Sequence, residues 1–273
     1  MKHRVISTVS LWLGVILILF LFRVPGGVVL LTALSLLTHW EIHQLLQRKG
    51  YRPCVRLGMG MGVLFFLLPF LDPIHPAIAT HLVLVASGVV FMITTLRTGD
   101  PDLIEKSFIP SMVALILGPY LLHFLVLPAA SHGLAGLLFS IWLIATAKFT
   151  DVCALLVGLR CGKTPFSRLS PKKTWEGVLG GLVGGVLVGW GLHAVLSTHL
   201  PVGFSSLNAL LVAIPVVILA VAGDLLESAF KRAVGAKDSG RMIPGIGGAF
   251  DLTDSLLWSA PVGYLLVFGW LLG

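Results

Sequence analysis

The sequence predicts an all-α, polytopic integral membrane protein with about nine transmembrane helices. Three observations carry that expectation. Of 273 residues, 56% are hydrophobic and only 11% charged, where a soluble domain carries about 25% charged residues. Apolar runs long enough to cross a bilayer recur along the whole length. Lysine and arginine gather in alternate connections between those runs, the pattern that sets membrane orientation.

The first run covers roughly 5–22 and follows Lys2 and Arg4. A basic start before an apolar stretch also fits a signal peptide. No small-residue cleavage site follows, however, and Phe22-Arg23-Val24-Pro25 closes the run, so a retained helix is expected. The second and third runs cover roughly 26–46 and 57–71; the third is short, which suits a tilted or partly re-entrant segment. Runs over roughly 76–96, 108–127 and 133–158 follow. The seventh, roughly 176–196, opens with Gly177, Gly180, Gly181, Gly184 and Gly185, small residues that let helices approach closely. The last two cover roughly 207–230 and 250–272. Glycine and proline inside such runs are tolerated in membrane helices.

Arg48, Lys49, Arg52 and Arg56 fall between runs two and three, and Arg97 and Lys106 between four and five. Arg160, Lys163, Arg168, Lys172 and Lys173 fall between six and seven, and Lys231, Arg232, Lys237 and Arg241 between eight and nine. The opposite connections hold none but Arg23. The basic loops are therefore assigned to the cytoplasm, and an odd number of helices puts the C-terminus on the far side. The formal charge of +7 follows this membrane rule, which argues against a nucleic-acid partner. Cys54, Cys153 and Cys161 form no metal-type spacing, so neither zinc nor a disulfide is assigned. The tryptophans read as interface anchors, His75, His132, His193 and His199 as far-side surface residues, and Glu41, among His39, His43 and Gln44, as a structural interfacial cluster.

Two charged constellations stand out in so apolar a chain. The first runs from Asp224 through Ser228 and Lys231-Arg232 to Lys237-Asp238, then Gly247-Gly248, Asp251 and Asp254. Asp224, Ser228 and Lys231 share a helix face, as do Asp251 and Asp254. Three carboxylates at one membrane edge suit Mg²⁺, which takes oxygen ligands and completes its shell with water and substrate phosphates. Gly247-Gly248 would let backbone approach a phosphate. The competing reading is a set of solvated helix ends, with Asp251 and Asp254 favoured by the helix dipole. The second constellation comprises Lys148, Asp151, Gly158, Gly162-Lys163 and Ser170-Pro171-Lys172-Lys173-Thr174-Trp175-Glu176-Gly177. Ser170-Pro171 suits an N-cap and first turn, which would bring Lys172 and Lys173 to a helix start where phosphates bind. The alternative is a positive-inside loop that touches lipid headgroups only.

Taken in order, these two stretches resemble the signatures of the phosphatidate cytidylyltransferases, or CDP-diacylglycerol synthases, over residues 151–254. The chain departs from the family's usual residues at Ile246 (commonly His), Leu252 (commonly Arg), Ala249 (commonly a larger apolar residue) and Leu155 (commonly Tyr). The resemblance divides one integral membrane unit into helices over 1–130 and a C-terminal part, 131–273, that carries the motifs. It implies transfer of a cytidylyl group from CTP to phosphatidate, giving CDP-diacylglycerol and pyrophosphate in phospholipid synthesis. The catalytic group it implies is Asp224, Lys231, Asp251 and Asp254, with Asp224, Asp251 and Asp254 on Mg²⁺ and a second cation as an option. Lys172, Lys173, Arg232, Lys237, Asp238, Gly247 and Gly248 would bind the nucleotide or lipid phosphates. The implied partners are CTP, phosphatidate and membrane lipids, with a homodimer left open. The implied setting is the bacterial inner membrane, with the site facing the cytoplasm. A CTP-dependent polyprenol- or phytol-type kinase, and a non-catalytic lipid-binding or transport protein, are the rival readings.

Overall fold

The computed structural model describes residues 2–71, 76–99, 102–167, 170, 172–236, 238–240 and 247–272, with side chains from residue 13 onward except at 76–77. Among the described residues every regular element is helical, and an isolated antiparallel bridge joins Pro165 to Thr174. The helical runs are α1 (Lys2–Arg48), α2 (Val55–Leu71), α3 (Pro76–Leu96), α4 (Ile104–Leu125), α5 (Leu127–Cys161), α6 (Trp175–Leu196), α7 (Ser206–Ala233) and α8 (Ala249–Leu271). Seven of them are long and apolar enough to cross a membrane, and α2, with 17 residues, is the shorter one.

Two of the long runs are folded back on themselves. In α1 the reversal comes at Arg23, whose φ of 46° is left-handed. Eight residues of unbroken helix would span about 12 Å. Instead, a Cβ placed on Gly26 would lie 2.8 Å from the carbonyl oxygen of Ile18. Gly133, with φ 55°, turns α5 in the same way and brings Gly136 against the backbone of Pro128. Counting the two arms of α1 separately gives nine helical segments among the described residues, and these correspond to the nine apolar runs. The break after Phe22 and the start near 133 fall where the sequence put them.

α5, α6 and α7 form the scaffold beneath the charged region. Glycines on α6 remove the side chains that would hold α5 away: Gly181 faces Ala154 and the Thr150 carbonyl, and Gly189 faces Thr146. Trp142 on α5 is fully buried, and its Nε1 donates to the Gly189 carbonyl at 2.7 Å. Its ring packs against Phe139 and Phe204 at centroid distances of 5.6 and 5.1 Å. In lipid such contacts hold by dispersion and hydrogen bonding. Trp142 is thus a core residue and not an interface anchor, because the indole N–H finds a backbone acceptor inside the bundle. His193 is also buried and bonds the Phe204 carbonyl at 2.8 Å, so it is not a surface residue. The opposite faces of α6 and α7 leave Leu179, Val183, Leu187, Leu211, Ile214 and Ile218 exposed, an apolar band that suits hydrocarbon.

The start of α6 differs from expectation. Thr174, not Ser170, is its N-cap: the Thr174 hydroxyl accepts from the Gly177 N–H at 3.2 Å. The preceding segment folds as a loop stapled by backbone bonds, Phe166 N–H to the Lys173 carbonyl and Trp175 N–H to the Thr164 carbonyl. Ser170 lies in that loop, where its carbonyl accepts from the Lys173 N–H, and Pro171 lies outside the described residues.

Candidate active site

The site is assembled from α5, the loop before α6, the end of α7 and the start of α8. Its closeness begins with Gly223 on α7, which lies directly against the Asp254 carbonyl and the Ser255 Cα. Any side chain there would push α8 away. With α8 so close, Asp224, Glu227 and Asp254 bring carboxylate oxygens within 4.8 Å of one another. Glu227 and Asp254 are buried, at 1% and 9% exposure.

Three lysines offset this negative charge. Lys148, on α5, places its Nζ 2.9 Å from Asp254 Oδ1 and 3.8 Å from Asp151 Oδ2. Lys173, from the loop, pairs with Asp224 Oδ2. Lys231, one turn beyond Glu227, lies 2.7 Å from Glu227 Oε1 and 2.9 Å from Asp251 Oδ1. Asp251 Oδ2 also accepts from the Gly248 N–H at 2.9 Å, and Asp254 Oδ1 from the Ser255 N–H at 2.5 Å. Burial pushes the Lys173 ammonium below the ordinary lysine range, with Asp151, Asp254 and Glu227 opposing the shift.

The carboxylates group differently in space from the way they do along the sequence. Asp224, Lys231, Asp251, Asp254 and Lys173 all converge. Glu227 takes the third place beside Asp224 and Asp254, while Asp251 faces Lys231. Glu227 was readable as the i+3 neighbour of Asp224 on the same helix face. Lys148 and Asp151 complete the α5 side of the cluster. Lys172, Arg232 and Asp238 are exposed at the rim and take part in none of the ion pairs among the described residues. Gly247 is left-handed, with φ 124°, and Gly248 is the backbone N-cap of α8. Lys237 and Ile246 lie outside the described residues. Leu252 is partly buried in the first turn of α8.

Three convergent carboxylates offer hard oxygen donors to a divalent cation, and the surrounding ammonium groups offer charge to phosphate oxygens. Residues 2–270 match the cytidylyltransferase family. The chain belongs to that family. Its relatives include a phosphatidate cytidylyltransferase of Thermotoga maritima, 33% identical over 241 residues, which cover 87% of this chain and 86% of that protein. A phosphatidate cytidylyltransferase of Helicobacter pylori is 42% identical over 131 residues, 47% of this chain and 46% of the relative. One from Synechocystis is 39% identical over 132 residues, 48% and 44% of the two chains. The matched region includes all of the α5–α8 charged cluster.

Proposed function

We propose that this protein transfers the cytidylyl group of CTP to phosphatidate, giving CDP-diacylglycerol and pyrophosphate. The observation that carries the reading is the convergence of Asp224, Glu227 and Asp254, interleaved with Lys148, Lys173 and Lys231, at one end of α7 in a cytidylyltransferase-family chain. A phosphate oxygen of the lipid forms the new bond to the α-phosphorus of CTP as the bond to pyrophosphate breaks.

Asp224, Glu227 and Asp254 are the residues that would hold Mg²⁺, and Asp251 serves Lys231. When bound, the ion supplies Lewis-acid neutralisation of phosphate oxygens and of the charge developing on pyrophosphate. Lys231, fixed by Glu227 and Asp251, presents its ammonium from a rigid helix face, so it reaches the reacting phosphates without reorganising. Lys173 and Lys172 meet the triphosphate from the α6 side, and Arg232 and Asp238 add exposed polar groups at the end of α7 and just beyond it. Gly247 allows backbone to approach a phosphate where a Cβ could not follow. The exposed apolar band keeps the acyl tails in the bilayer while the headgroup reaches the charged end. The site faces the cytoplasm of a bacterial inner membrane, where CTP is available.

Purified protein in detergent, supplied with labelled CTP and phosphatidate, should release pyrophosphate and form a labelled CDP-lipid only with a divalent cation. Phosphorylated lipid together with CDP would point to a kinase. Turnover that survives chelation would remove the metal from the reading.

A further inference from the structure

Glu41 lies on the second arm of α1, far in sequence from every charged residue of the site, and is 1% exposed. A buried carboxylate so placed requires hydrogen-bond partners. It finds them at Ser239 and at the start of α8. Glu41 Oε2 accepts from the Phe250 N–H at 3.0 Å and from the Ser239 hydroxyl at 3.3 Å. Phe250 is the second residue of α8, and its N–H is one of the donors that the helix itself cannot satisfy. The N-cap, Gly248, has no side chain to supply the acceptor. Glu41 therefore caps from 209 residues away the helix that carries Asp251 and Asp254.

The glycines fit the same account. A Cβ on Gly240 or on Gly248 would run into the Glu41 carboxylate, and one on Gly248 would also strike the Ser239 hydroxyl. Gly248 thus opens a passage for a carboxylate of this chain. Thr38, one helical turn before Glu41, adds a second tie, its Oγ1 lying 3.1 Å from that of Thr253.

We propose that Glu41 is a positioning residue for the transfer: it holds Phe250 and Ser239, and through them sets Asp251 and Asp254 against Lys231, Lys148 and Asp224. The proposal rests on the cytidylyl-transfer reading for its kinetic consequence and on the hydrogen bonds alone for its structural one. The hydrogen bonds of the Glu41 carboxylate go to the Phe250 N–H and the Ser239 hydroxyl, neither of them a charged group of the site. Its effect is geometric, and a misplacement of about 1 Å at a reacting centre costs about a hundredfold in rate.

The test compares Glu41→Ala and Glu41→Gln in the full-length protein. Glutamine keeps an acceptor oxygen of the same reach and loses the charge. Glu41→Ala should lower kcat by about a hundredfold, raise the Mg²⁺ concentration giving half-maximal rate, and change KM for CTP little. Glu41→Gln should keep kcat within about threefold of the parent, since a neutral acceptor still satisfies the amide. Hydrogen–deuterium exchange supplies a readout that needs no turnover: amides of 249–254 should lose protection in Glu41→Ala and keep it in Glu41→Gln. Unchanged exchange in Glu41→Ala, or a Glu41→Gln as impaired as Glu41→Ala, overturns the positioning role. A parent protein that makes no CDP-lipid, with the exchange result as expected, overturns the cytidylyl reading and leaves the cap standing.

Discussion

The Lys148 ammonium lies 2.9 Å from the Asp254 carboxylate and ties the middle of the chain to its last helix. The two residues are 106 positions apart. Lys148 also reaches Asp151 one turn along its own helix, so it is the charge that lets two carboxylates share this corner. Replacing it with alanine removes the ion pair of each and leaves them only the charge of Lys173. Lys148→Ala is expected to lose about 1–3 kcal/mol of stability and most of its transferase activity. Lys148→Arg should recover stability better than activity, because the guanidinium keeps the charge but not the shape. Thermal denaturation in detergent, run beside initial rates, separates the two effects.

Lys173 carries a pH signature. Burial lowers its folded-state pKa below the ordinary lysine value, about 10.4. The alkaline limb of kcat/KM should then set in below the range of a free lysine, as the ammonium facing Asp224 discharges. For stability the sign is opposite to the usual lysine case. Between the lowered folded pKa and that of the unfolded chain, the unfolded state binds more protons, so this residue's contribution to stability rises with pH. Lys173→Arg stays charged throughout and should move the alkaline limb upward. An unmoved limb would assign that ionisation to another group.

How much of this arrangement was legible depended on how local its cause was. The nine apolar segments were readable because a span is decided by its own composition. So was the fold-back at Arg23, where Phe22-Arg23-Val24-Pro25 interrupts the run. The convergence of Asp224 with Asp254 was readable through the ordered motif. The grouping of the carboxylates in space was not: Glu227 stands i+3 from Asp224, yet only the tight approach of α8 at Gly223 decides which acids meet. The distant partners of Lys148 and Glu41 were opaque for the same reason, since each lies more than a hundred positions away. Trp142 misled because an apolar run does not reveal which of its faces is buried.

The distribution of lysine and arginine predicts sidedness that can be measured directly. The loop before α6 and the start of the loop after α7 lie at the charged end of the helices, whereas the 197–205 connection lies at the other and holds no basic residue except His199. Single cysteines at Lys172 and Asp238, both exposed, should react with an impermeant maleimide only from the cytoplasmic side. A cysteine at Val202, 97% exposed, should react only from the opposite side. Labelling of all three from one side would overturn the topology. The background must lack Cys54, Cys153 and Cys161.

Gly223 tests the contact on which the carboxylate cluster depends. A methyl group added there meets the Asp254 backbone, which cannot swing aside as a flexible side chain would. Gly223→Ala should cost about 1–3 kcal/mol through overpacking and weaken metal dependence together with rate, because Asp254 moves away from Asp224. Gly223→Val should be worse on both counts. Full activity in a stable Gly223→Ala protein would mean that α7 and α8 can separate without harm.

Asp251 and Glu227 offer the sharpest division. The spacing of the sequence made Asp251 a metal ligand; the carboxylate oxygens within 4.8 Å of one another are those of Asp224, Glu227 and Asp254, and Asp251 lies against Lys231 and the Gly248 N–H. Asp251→Asn keeps an acceptor for the Gly248 amide and removes the charge beside Lys231. It should lower kcat by roughly a hundredfold, as when a main electrostatic stabiliser is lost, and leave the Mg²⁺ midpoint near the parent value. Its stability should change by only about 1 kcal/mol, the worth of a cap. Glu227→Gln and Asp224→Asn should instead shift the Mg²⁺ midpoint upward and regain part of their rate at high metal. The two classes separate in a single metal titration of initial rates. If Asp251→Asn shifts the midpoint as far as Asp224→Asn does, Asp251 is a ligand after all, and Lys231 must leave it when the metal binds.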